Sequence, residues 1–530
     1  MVKIVLTADR AVFTSFSNDD ALGFGLCMPL RLVPGFIEYR VLAPPVPVGR
    51  DGRAVLAPYP VAKVEAALLA AGFKRDEVAI IPPERAERVI DDDTVVVGVH
   101  VLDPQGLAPV SWTLRALTGG GVTCTQHEFE RLMGRLARLK RKYRFKVVVG
   151  GPGVWQLRGL ESRFGIDVLF DGEAELTFPL VVRKILDGED VPKYIRGDVV
   201  PADAIPPIVT PSRNGVVQIT RGCPRRCKFC SPTMFFFRSI PLNVVLREVE
   251  LNLKAGVRAV GYVTEDVLLY GARGLEFNPE AVMKLFSETL KIAKRYSVSR
   301  VGFSHVTLSS ALVARNAVKF ITDVNGFSAG EPTFPQVGLE SGSPRLVSKY
   351  FRGKPYPWSP EEWPDVVLRG VKLLNDNYWY PCLTYIIGFP DATPEDYVRT
   401  TELIDKLKDE GFKGWVFPLF LIPMGGTQVE GIAGFKVLKD LPQEALDCIS
   451  AGWTLSLKFS RAIYPKVLST IRNPLIRKII NGLVEKALNA MEDWMQLVMK
   501  DPSVIEGEFS KINIRHLPSL IATVIRYRVL

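Results

Sequence analysis

Long apolar runs are missing from this sequence. Although 47% of its 530 residues are hydrophobic, no unbroken apolar stretch approaches the ~20 residues that a membrane-spanning helix needs. The layout of a secretory signal peptide is missing as well, because the residues Met1–Leu6 begin directly as a strand. We therefore expect no transmembrane segment and predict a cytoplasmic location.

Cysteine and histidine are scarce, with seven and four residues respectively. Four of the cysteines are scattered along the chain: Cys27, Cys124, Cys382 and Cys448. This distribution is not a disulfide framework, and it fits a reducing compartment. The length is too great for one hydrophobic core, which predicts two to four domains.

The other three cysteines lie close together. Cys223, Cys227 and Cys230 form a C-x3-C-x2-C pattern that follows directly on an apolar strand pattern at 216–220. We expect them on a loop just past the end of a strand, where α/β folds usually place their chemistry. Three such thiolates can hold three corners of a 4Fe–4S cluster and leave the fourth iron open. A zinc site is the alternative, but zinc fingers usually bring cysteines in pairs, and the sequence has no second pair.

Basic residues exceed acidic ones, and the net charge is +10. This charge permits nucleic acid, an anionic membrane surface or an acidic substrate as a partner. Eight Arg or Lys residues lie within 131–146, which suggests a nucleic-acid surface. We favour the solvated face of an amphipathic helix at 127–143, because no aromatic stacking pattern accompanies these residues.

Strand and helix signals divide the chain into three folded regions and a linker. Up to residue 195, buried parallel strand patterns alternate with helices, as in a doubly wound, Rossmann-like α/β domain. Four prolines within 196–212 indicate a stiff linker. Six β/α units then follow over 213–430, and 431–530 has the pattern of a helical domain. The fold class is therefore α/β with a helical C-terminal domain.

The cysteine pattern, with Phe229 before its last member, resembles that of the radical S-adenosylmethionine (SAM) superfamily. The resemblance implies that Cys223, Cys227 and Cys230 hold a 4Fe–4S cluster. Its open iron would bind the amino and carboxylate groups of SAM, and Phe229 would neighbour SAM. The six β/α units resemble the partial (β/α)6 barrel of that family, which works at the carboxyl ends of its strands.

Three further strand ends resemble SAM-binding motifs of the family. They imply these contacts: Glu265 or Asp266 for the amino group, Glu340, Ser341 and Ser343 for the ribose and methionine, and Gly388 for adenine. The first of these motifs is Gly-Gly-Glu in the family, and its two glycines are missing before Glu265. His305, near another strand end, is a candidate catalytic proton donor or substrate contact, with a core histidine as the equal alternative.

The first domain resembles the cobalamin-binding domain that precedes many radical SAM cores. Gly150 and Gly151 follow a strand, and the acidic segment Asp171–Glu175 comes soon after. The resemblance implies that this glycine turn lets the backbone approach the nucleotide tail of cobalamin. The D-x-H-x-x-G motif of domains that ligate cobalt is missing, and we interpret His100 as a strand-end histidine rather than a cobalt ligand. Cobalamin stays open as a cofactor.

Together these resemblances imply a radical SAM enzyme. A reduced cluster would cleave SAM to methionine and a 5′-deoxyadenosyl radical, which removes a hydrogen from an unactivated carbon. The electron would come from a ferredoxin- or flavodoxin-like donor. With cobalamin the expected outcome is methylation of carbon; without it, carbon–carbon coupling or sulfur insertion follows, on a small molecule, lipid or RNA. An iron–sulfur or nucleic-acid-binding protein without catalysis is the alternative from a different class.

The C-terminal region predicts a helix that begins at Asn473-Pro474 and presents one broad apolar face. The tail Lys511–Leu530 contains basic residues and no acidic ones. We predict that this region is a helical cap over the barrel mouth, with docking on an anionic lipid surface as the alternative.

Overall fold

The structure, a computed structural model, describes residues 2–503 apart from residues 19, 34 and 469–473. The predicted helix start at Asn473 and the basic tail therefore lie outside the described residues. Within the described part of the chain, no helix has the length and apolarity needed to cross a bilayer. The strands are β1 Ile4–Ala8, β2 Val78–Ile80, β3 Val96–His100, β4 Lys146–Gly150, β5 Val168–Asp171, β6 Tyr194–Arg196, β7 Val216–Gln218, β8 Thr220–Arg221, β9 Arg238–Ser239, β10 Gly261–Val263, β11 Gly302–Phe303, β12 Gln336–Glu340, β13 Cys382–Ile387 and β14 Trp415–Phe420.

The α-helices alternate with most of these strands. They are α1 Gly35–Ile37, α2 Tyr59–Ala70, α3 Ala86–Val89, α4 Pro109–Leu117, α5 Cys124–Lys140, α6 Glu161–Phe164, α7 Thr177–Leu186, α8 Leu242–Lys254, α9 Pro279–Lys294, α10 Leu308–Val313, α11 Arg315–Asn325, α12 Pro344–Tyr350, α13 Trp363–Asp376, α14 Pro394–Asp409, α15 Gln443–Leu468 and α16 Pro474–Lys500.

The N-terminal sheet has six parallel strands in the order β2-β1-β3-β4-β5-β6. Side chains alternate across its strands, so that Leu6 packs with α2 and α7 on one face while Val5 packs with α5 on the other. The predicted doubly wound fold is confirmed. Helix α5 begins three residues before the predicted start, because the Thr123 hydroxyl accepts a hydrogen bond from the Gln126 backbone N–H and caps it.

The barrel region contains the six predicted parallel strands. Strand β10 pairs with β7 and β11, and β13 pairs with β12 and β14, all in parallel. A parallel bridge between His305 and Gln336 connects the two groups, so the strands follow one another around the barrel in chain order. Their carboxyl ends therefore lie on one side, and the loops that follow them meet there.

The proline-rich segment between the two α/β regions is bound on both sides by buried polar groups. Lys63 of α2 donates to the Pro206 carbonyl oxygen at 2.8 Å and pairs with Glu248 of α8. The backbone N–H of Ile208 donates to Glu248, and that of Thr210 donates to Glu65. The segment thus joins α2 to α8 through a buried hydrogen-bonded ion pair.

Two long helices, α15 and α16, follow the barrel. Helix α15 packs on β14, where Ser456 accepts a hydrogen bond from the Val416 backbone N–H at 2.8 Å. Helix α16 buries an apolar face that includes Trp494, Met495 and Val498, and the Trp494 indole donates to the Leu117 carbonyl oxygen of α4. The C-terminal helices therefore contact both the barrel and the N-terminal region.

Candidate functional site

The three clustered cysteines lie on a loop whose base is closed by a short ribbon. Strand β8 follows the barrel strand β7 and pairs antiparallel with β9, so that Arg221 faces Arg238. Gly222 begins the loop with φ +77°, and a Cβ there would lie 2.5 Å from the Phe235 carbonyl oxygen. Only glycine tolerates both the conformation and the close approach. The ribbon and this turn fix the entry and exit of the cysteine loop, residues 222–237.

All three cysteines are free thiols, with Cys227 buried and the other two half-buried. Burial raises the pKa of Cys227 to about 12 and the pKa values of Cys223 and Cys230 above the ordinary value. The charges of Cys223 and Cys227 also raise the pKa of Cys230, which shows that the thiols lie near one another. A bound cluster would supply the positive charge that converts such thiols to thiolates.

Three free thiols on one loop are a donor set that a 4Fe–4S cluster can take. Thiolates around such a cluster surround a cube of eight atoms, so they stand farther apart than the ligands of one ion. In the described part of the chain, no three His, Cys, Asp or Glu side chains are arranged to hold one metal ion. The role of the three cysteines as cluster ligands stays a prediction.

Arg225, within the cysteine pattern, fastens this loop to two others. Its guanidinium is buried and donates to the carbonyl oxygens of Gly353 and Lys354 at 3.1 and 2.8 Å. It also contacts Asp266, after β10, and the Ser310 hydroxyl of α10. A Cβ at Gly353 would collide with the Arg225 carbonyl oxygen. These contacts hold Lys354 against the loop that carries the cysteines.

Lys354 is a buried cation that the sequence analysis missed. Its ammonium forms an ion pair with Glu340 at the end of β12. Burial alone would lower the pKa of Lys354, but the charge of Glu340, followed by that of Cys227, raises it. The only signal in the sequence is a lysine soon after α12, and nothing local indicates that it is buried.

Glu340 reaches Lys354 through an irregularity in β12. The pairing register with β13 shifts between Gly338 and Glu340, and Glu340 has φ +63°, a conformation that costs energy for a residue with a Cβ. A Cβ at Gly338 would collide with both the Glu340 carboxylate and the Lys354 ammonium. The ion pair therefore requires glycine at position 338. The prediction that Glu340 meets the ribose of SAM stays untested.

The adjacent carboxylates Glu265 and Asp266 differ in their surroundings. Asp266 is buried, caps the Leu268 backbone N–H at 3.2 Å and contacts Arg225 and Ser310. Glu265 has no hydrogen-bond or ion-pair partner among the described residues. Burial raises the pKa of Glu265 to about 7, against the lowering effect of Lys354. Of the two candidates for the amino group of SAM, only Glu265 has its carboxylate unengaged.

The two serines predicted to contact SAM follow directly on β12 and form hydrogen bonds with α14. Ser341 contacts the Thr400 hydroxyl at 3.2 Å and accepts from the Ser343 backbone N–H. Ser343 donates to Asp396 at 2.5 Å. Both side chains are buried. They hold the loop after β12 against α14 and are already hydrogen-bonded within the protein.

Phe229 and Gly388 are the other two residues predicted to lie near SAM. Phe229 packs among aromatic rings, and Gly388 follows directly on β13. Phe229 meets Phe351 and Phe389 edge to face, with both ring centroids at 6.1 Å. Gly388 has φ +91°, and its backbone N–H donates to the Tyr397 hydroxyl at 3.2 Å. Phe229 is therefore half-buried among aromatic rings beside the cysteines, and Gly388 adopts a turn that favours glycine.

His305 lies between the two groups of barrel strands. Its Nδ1 is buried and has no hydrogen-bond partner in the structure as described. Burial lowers the pKa of His305, and the charge of Lys354 lowers it further. The imidazole is therefore neutral near pH 7 and has one nitrogen free to accept or donate a hydrogen bond.

The acidic segment of the N-terminal domain binds the base of the cysteine loop. Glu173 pairs with both Arg221 and Arg238 and accepts from the Val200 backbone N–H. Glu175 pairs with Arg221 at 2.6 Å. All four side chains are at most 14% exposed. The glutamates of this acidic segment therefore hold the ribbon of β8 and β9.

The glycine turn after β4 is packed against the chain itself. Gly151 has φ +119°, and a Cβ there would lie 2.5 Å from the Val101 carbonyl oxygen and 2.8 Å from Nδ1 of His100. A Cβ at Gly150 would lie 3.1 Å from the Phe170 carbonyl oxygen. The close approach of neighbouring backbone explains both glycines without a bound nucleotide. Burial lowers the pKa of His100 to about 4.

Comparisons with known proteins support the assignment of the barrel. Residues 217–404 match the model of the radical SAM superfamily. A tRNA-2-methylthio-N(6)-dimethylallyladenosine synthase of Fusobacterium nucleatum is 25% identical over 308 residues, which cover 54% of this chain and 64% of that protein. An uncharacterized methyltransferase of Pyrococcus horikoshii is 26% identical over 298 residues, 49% of this chain and 58% of that protein. The chain thus spans less than two thirds of the length of these curated relatives.

The fold also matches a solved structure over most of its length. The radical SAM methyltransferase TsrM of Kitasatospora setae, solved with cobalamin and a 4Fe–4S cluster bound, aligns with a TM-score of 0.53 and 15% identity. The alignment covers 81% of this chain and 77% of TsrM. Because the alignment extends well beyond the barrel, it includes the doubly wound region. The cluster and SAM are the shared cofactors of the matched family, and residues 217–404 of this chain form a region that matches the radical SAM superfamily.

Proposed function

We propose that this protein reductively cleaves SAM at a 4Fe–4S cluster held by Cys223, Cys227 and Cys230. When bound and reduced, the cluster supplies the electron that breaks a carbon–sulfur bond of SAM to give a 5′-deoxyadenosyl radical. The observation that carries the proposal is the unengaged carboxylate of Glu265. It lies close enough to Cys223 and Cys230 for its charge to raise their pKa values.

The chain's own residues supply binding and positioning. Glu265 is suited to accept hydrogen bonds from the ammonium group of SAM, because a carboxylate near three thiolates attracts a cation. Lys354 places a positive charge beside the cysteines and is the group suited to the carboxylate of SAM. Glu340 keeps Lys354 charged in a buried position, and Arg225 fixes the loop on which Lys354 lies.

His305 is suited to contact the substrate. Its unpartnered Nδ1 is buried near Lys354 at the carboxyl side of the barrel. A neutral imidazole there can accept a hydrogen bond from a substrate N–H or O–H group, and this contact would orient the carbon from which hydrogen is removed. The burial of the site excludes water, which protects a reactive radical from side reactions.

For the outcome of the reaction we propose cobalamin-dependent methylation of an unactivated carbon. This rests on the fold shared with TsrM over 81% of the chain. Neighbouring backbone occupies the space that a Cβ would fill at Gly150 and Gly151, with His100 also close at Gly151, so packing within the chain accounts for both glycines. We therefore assign no step to cobalamin.

Because packing alone accounts for the glycine turn, the second candidate is a cobalamin-free radical reaction such as carbon–carbon coupling or sulfur insertion. Relatives named for tRNA modification make RNA one substrate class to test, alongside small molecules and lipids. Retention of hydroxocobalamin by the purified protein separates the two candidates. Stoichiometric retention, with a cobalt spectrum that does not change in His100→Ala, supports methylation; release of all cobalamin on gel filtration supports the cobalamin-free reaction.

The cleavage proposal is tested with anaerobically reconstituted protein and a chemical reductant. We expect 5′-deoxyadenosine from SAM, and we expect Glu265→Gln to weaken SAM binding by about 1–3 kcal/mol while iron content stays unchanged. Glu280→Gln, at an exposed position in the first turn of α9, is the matched control. Glu265→Gln with wild-type SAM affinity and normal iron would remove Glu265 from the site.

A further inference from the structure

A buried ion pair joins the cysteine loop to the loop that follows β10. Arg225, which lies between Cys223 and Cys227 in the sequence, approaches Asp266 at 3.4 Å. The two side chains are only 3% and 1% exposed, and the Ser310 hydroxyl bridges them by accepting from Arg225 and donating to Asp266. Because water has little access to this pair, its charges act on their surroundings with little screening.

The cation of this pair lies on the cysteine loop, whereas the acid does not. The backbone N–H of Arg225 donates a hydrogen bond to the Cys223 sulfur, so Arg225 is attached directly to the cysteine segment. Asp266 belongs to the loop after β10, where its carboxylate accepts from the Leu268 backbone N–H at 3.2 Å. The pair is therefore oriented with its positive end toward the cysteines.

The pKa of Cys223 reflects this orientation. Burial is the largest effect on the pKa of this thiol and raises it. Among the neighbouring charges, that of Arg225 lowers the pKa of Cys223 by more than that of Asp266 raises it. The pair is neutral as a whole, yet it acts on Cys223 as a net positive charge.

Arg225 also keeps one buried donor free. Its Nε has no hydrogen-bond partner within the part of the chain that the structure describes, although its other side-chain nitrogens donate to Gly353, Lys354 and Ser310. A buried donor without a partner is uncommon and is explained by a bound group, a redox role or an ordered water. Beside the cysteines, the sulfur of a bound cluster is a group that suits this N–H, and hydrogen bonds to sulfur help to set a cluster's potential.

Charge near a cluster changes how readily it is reduced. A cluster gains one negative charge when it accepts an electron, so a positive charge nearby raises its reduction potential and a negative charge lowers it. The Lys354–Glu340 pair would act in the same way, but Lys354 is also suited to bind SAM, and changing it would alter two properties at once. The side chains of Arg225 and Asp266 are engaged with each other, so their charges can be tested separately from SAM binding.

We propose that the Arg225–Asp266 pair sets the reduction potential of the cluster, with Arg225 raising this potential and Asp266 limiting the rise. The inference rests on the proposed function, since it needs a cluster on the three cysteines. One electron from a low-potential reductant enters the cluster, while no bond forms or breaks and no proton moves. Arg225 and Asp266 thereby act on the cluster through charge, in addition to fastening the loop.

The test is a redox titration of anaerobically reconstituted protein with dithionite and mediators, without SAM, in which electron paramagnetic resonance follows the reduced cluster. We expect Arg225→Gln to lower the midpoint potential and Asp266→Asn to raise it. Each shift should correspond to about a tenfold change in the equilibrium constant for reduction, which is about 59 mV for one electron. Asparagine can still accept the hydrogen bond from the Leu268 backbone N–H, so the second variant keeps this contact.

Three further variants separate charge from structure. Arg225→Lys keeps the charge and should have a potential closer to that of the wild type than Arg225→Gln has. Arg226→Gln removes the next cation of the same loop, which is exposed, and should leave the potential nearly unchanged because water and salt screen it. The double variant Arg225→Gln/Asp266→Asn should have a potential between those of the two single variants.

Opposite shifts in the two single variants distinguish the proposal from a purely structural role, because a loosened loop would shift the potential in the same direction in both. Shifts in one direction, or wild-type potentials in both variants, overturn the inference. If Arg225→Gln does not load iron, Asp266→Asn still decides, since a potential that is not above the wild-type value overturns the inference. A cluster whose potential shifts as expected but which does not cleave SAM contradicts the proposed function alone.

Discussion

Lys354 and Glu340 form a buried ion pair beside the cysteines, although fourteen positions of sequence separate them. The pair lies where the loop after β12 meets the cysteine loop, and Arg225 holds the backbone of Lys354 in place. A buried pair of this kind stabilises the protein only as a pair, because either charge alone would remain desolvated without compensation.

We expect Lys354→Met to lower the stability of the unloaded protein by about 3–5 kcal/mol, because it leaves Glu340 charged and buried. The double variant Lys354→Met/Glu340→Gln should recover a large part of that loss. The measurement is the thermal unfolding midpoint of Lys354→Met, of Glu340→Gln and of the double variant. Asp365→Ala, which removes an exposed ion pair with Arg369, is the control and should change little. Losses that simply add would show that the two residues do not act together.

Replacing Cys223, Cys227 and Cys230 together by Ala should abolish iron binding. Wild-type protein reconstituted without oxygen should hold about four irons per chain, with the visible absorption of a 4Fe–4S cluster. Cys382→Ala, in strand β13 and remote in sequence, should retain the full iron content. A triple variant that still produced 5′-deoxyadenosine would disprove the assignment of these ligands.

Glu173→Gln should loosen the base of the cysteine loop. It removes a carboxylate that pairs with Arg221 and Arg238, and neither guanidinium can reach water easily. Hydrogen exchange should become at least about tenfold faster in residues 222–237 while strands β12 to β14 keep their protection. Glu288→Gln, in an exposed pair with Lys291, provides the comparison. Equal protection of residues 222–237 in both variants would show that Glu173 does not hold the base of the cysteine loop.

Asp9 should make stability depend on pH below neutrality. Burial, assisted by the charges of Glu128 and Asp103, raises the pKa of Asp9 to about 7, although the Val12 backbone N–H opposes this. In the unfolded chain an aspartate has a pKa of about 3.9. The folded state therefore holds the proton more tightly, and stability falls as pH rises from about 4 to about 7, by a few kcal/mol at most.

The measurement for Asp9 is the unfolding midpoint as a function of pH. Asp9→Asn keeps an acceptor for the Val12 N–H, at 3.1 Å in the wild type, and cannot ionise. We expect the variant to lose most of the decline in stability between these pH values. A variant with the same pH profile as the wild type would assign the decline to other groups.

The elements of the fold could be predicted from the sequence because they depend on local patterns. Buried parallel strands are short apolar runs, and the amphipathic helix α5 has its apolar residues on one face, as Phe129, Leu132 and Leu136 show. The cysteine loop is equally local, since all three thiols lie within eight residues. These signals need no knowledge of distant contacts.

The supporting residues of the site could not be predicted in this way. Lys354, Arg225 and Glu173 are charged residues that a sequence assigns to the surface, and only tertiary contacts reveal that they are buried. The sequence also did not distinguish Glu265 from Asp266, because the difference lies in Arg225 and Ser310 from other loops. Gly150 and Gly151 suggested a cofactor, whereas the structure shows backbone packing that glycine also serves.

The proline-rich segment is fastened through Lys63 and Glu65 to a helix of the first half of the protein and through Glu248 to a helix of the second half. The buried hydrogen bonds that hold it are therefore shared between the two halves. A cut placed within the segment would expose buried carboxylates on both pieces, so neither half should be expected to survive alone.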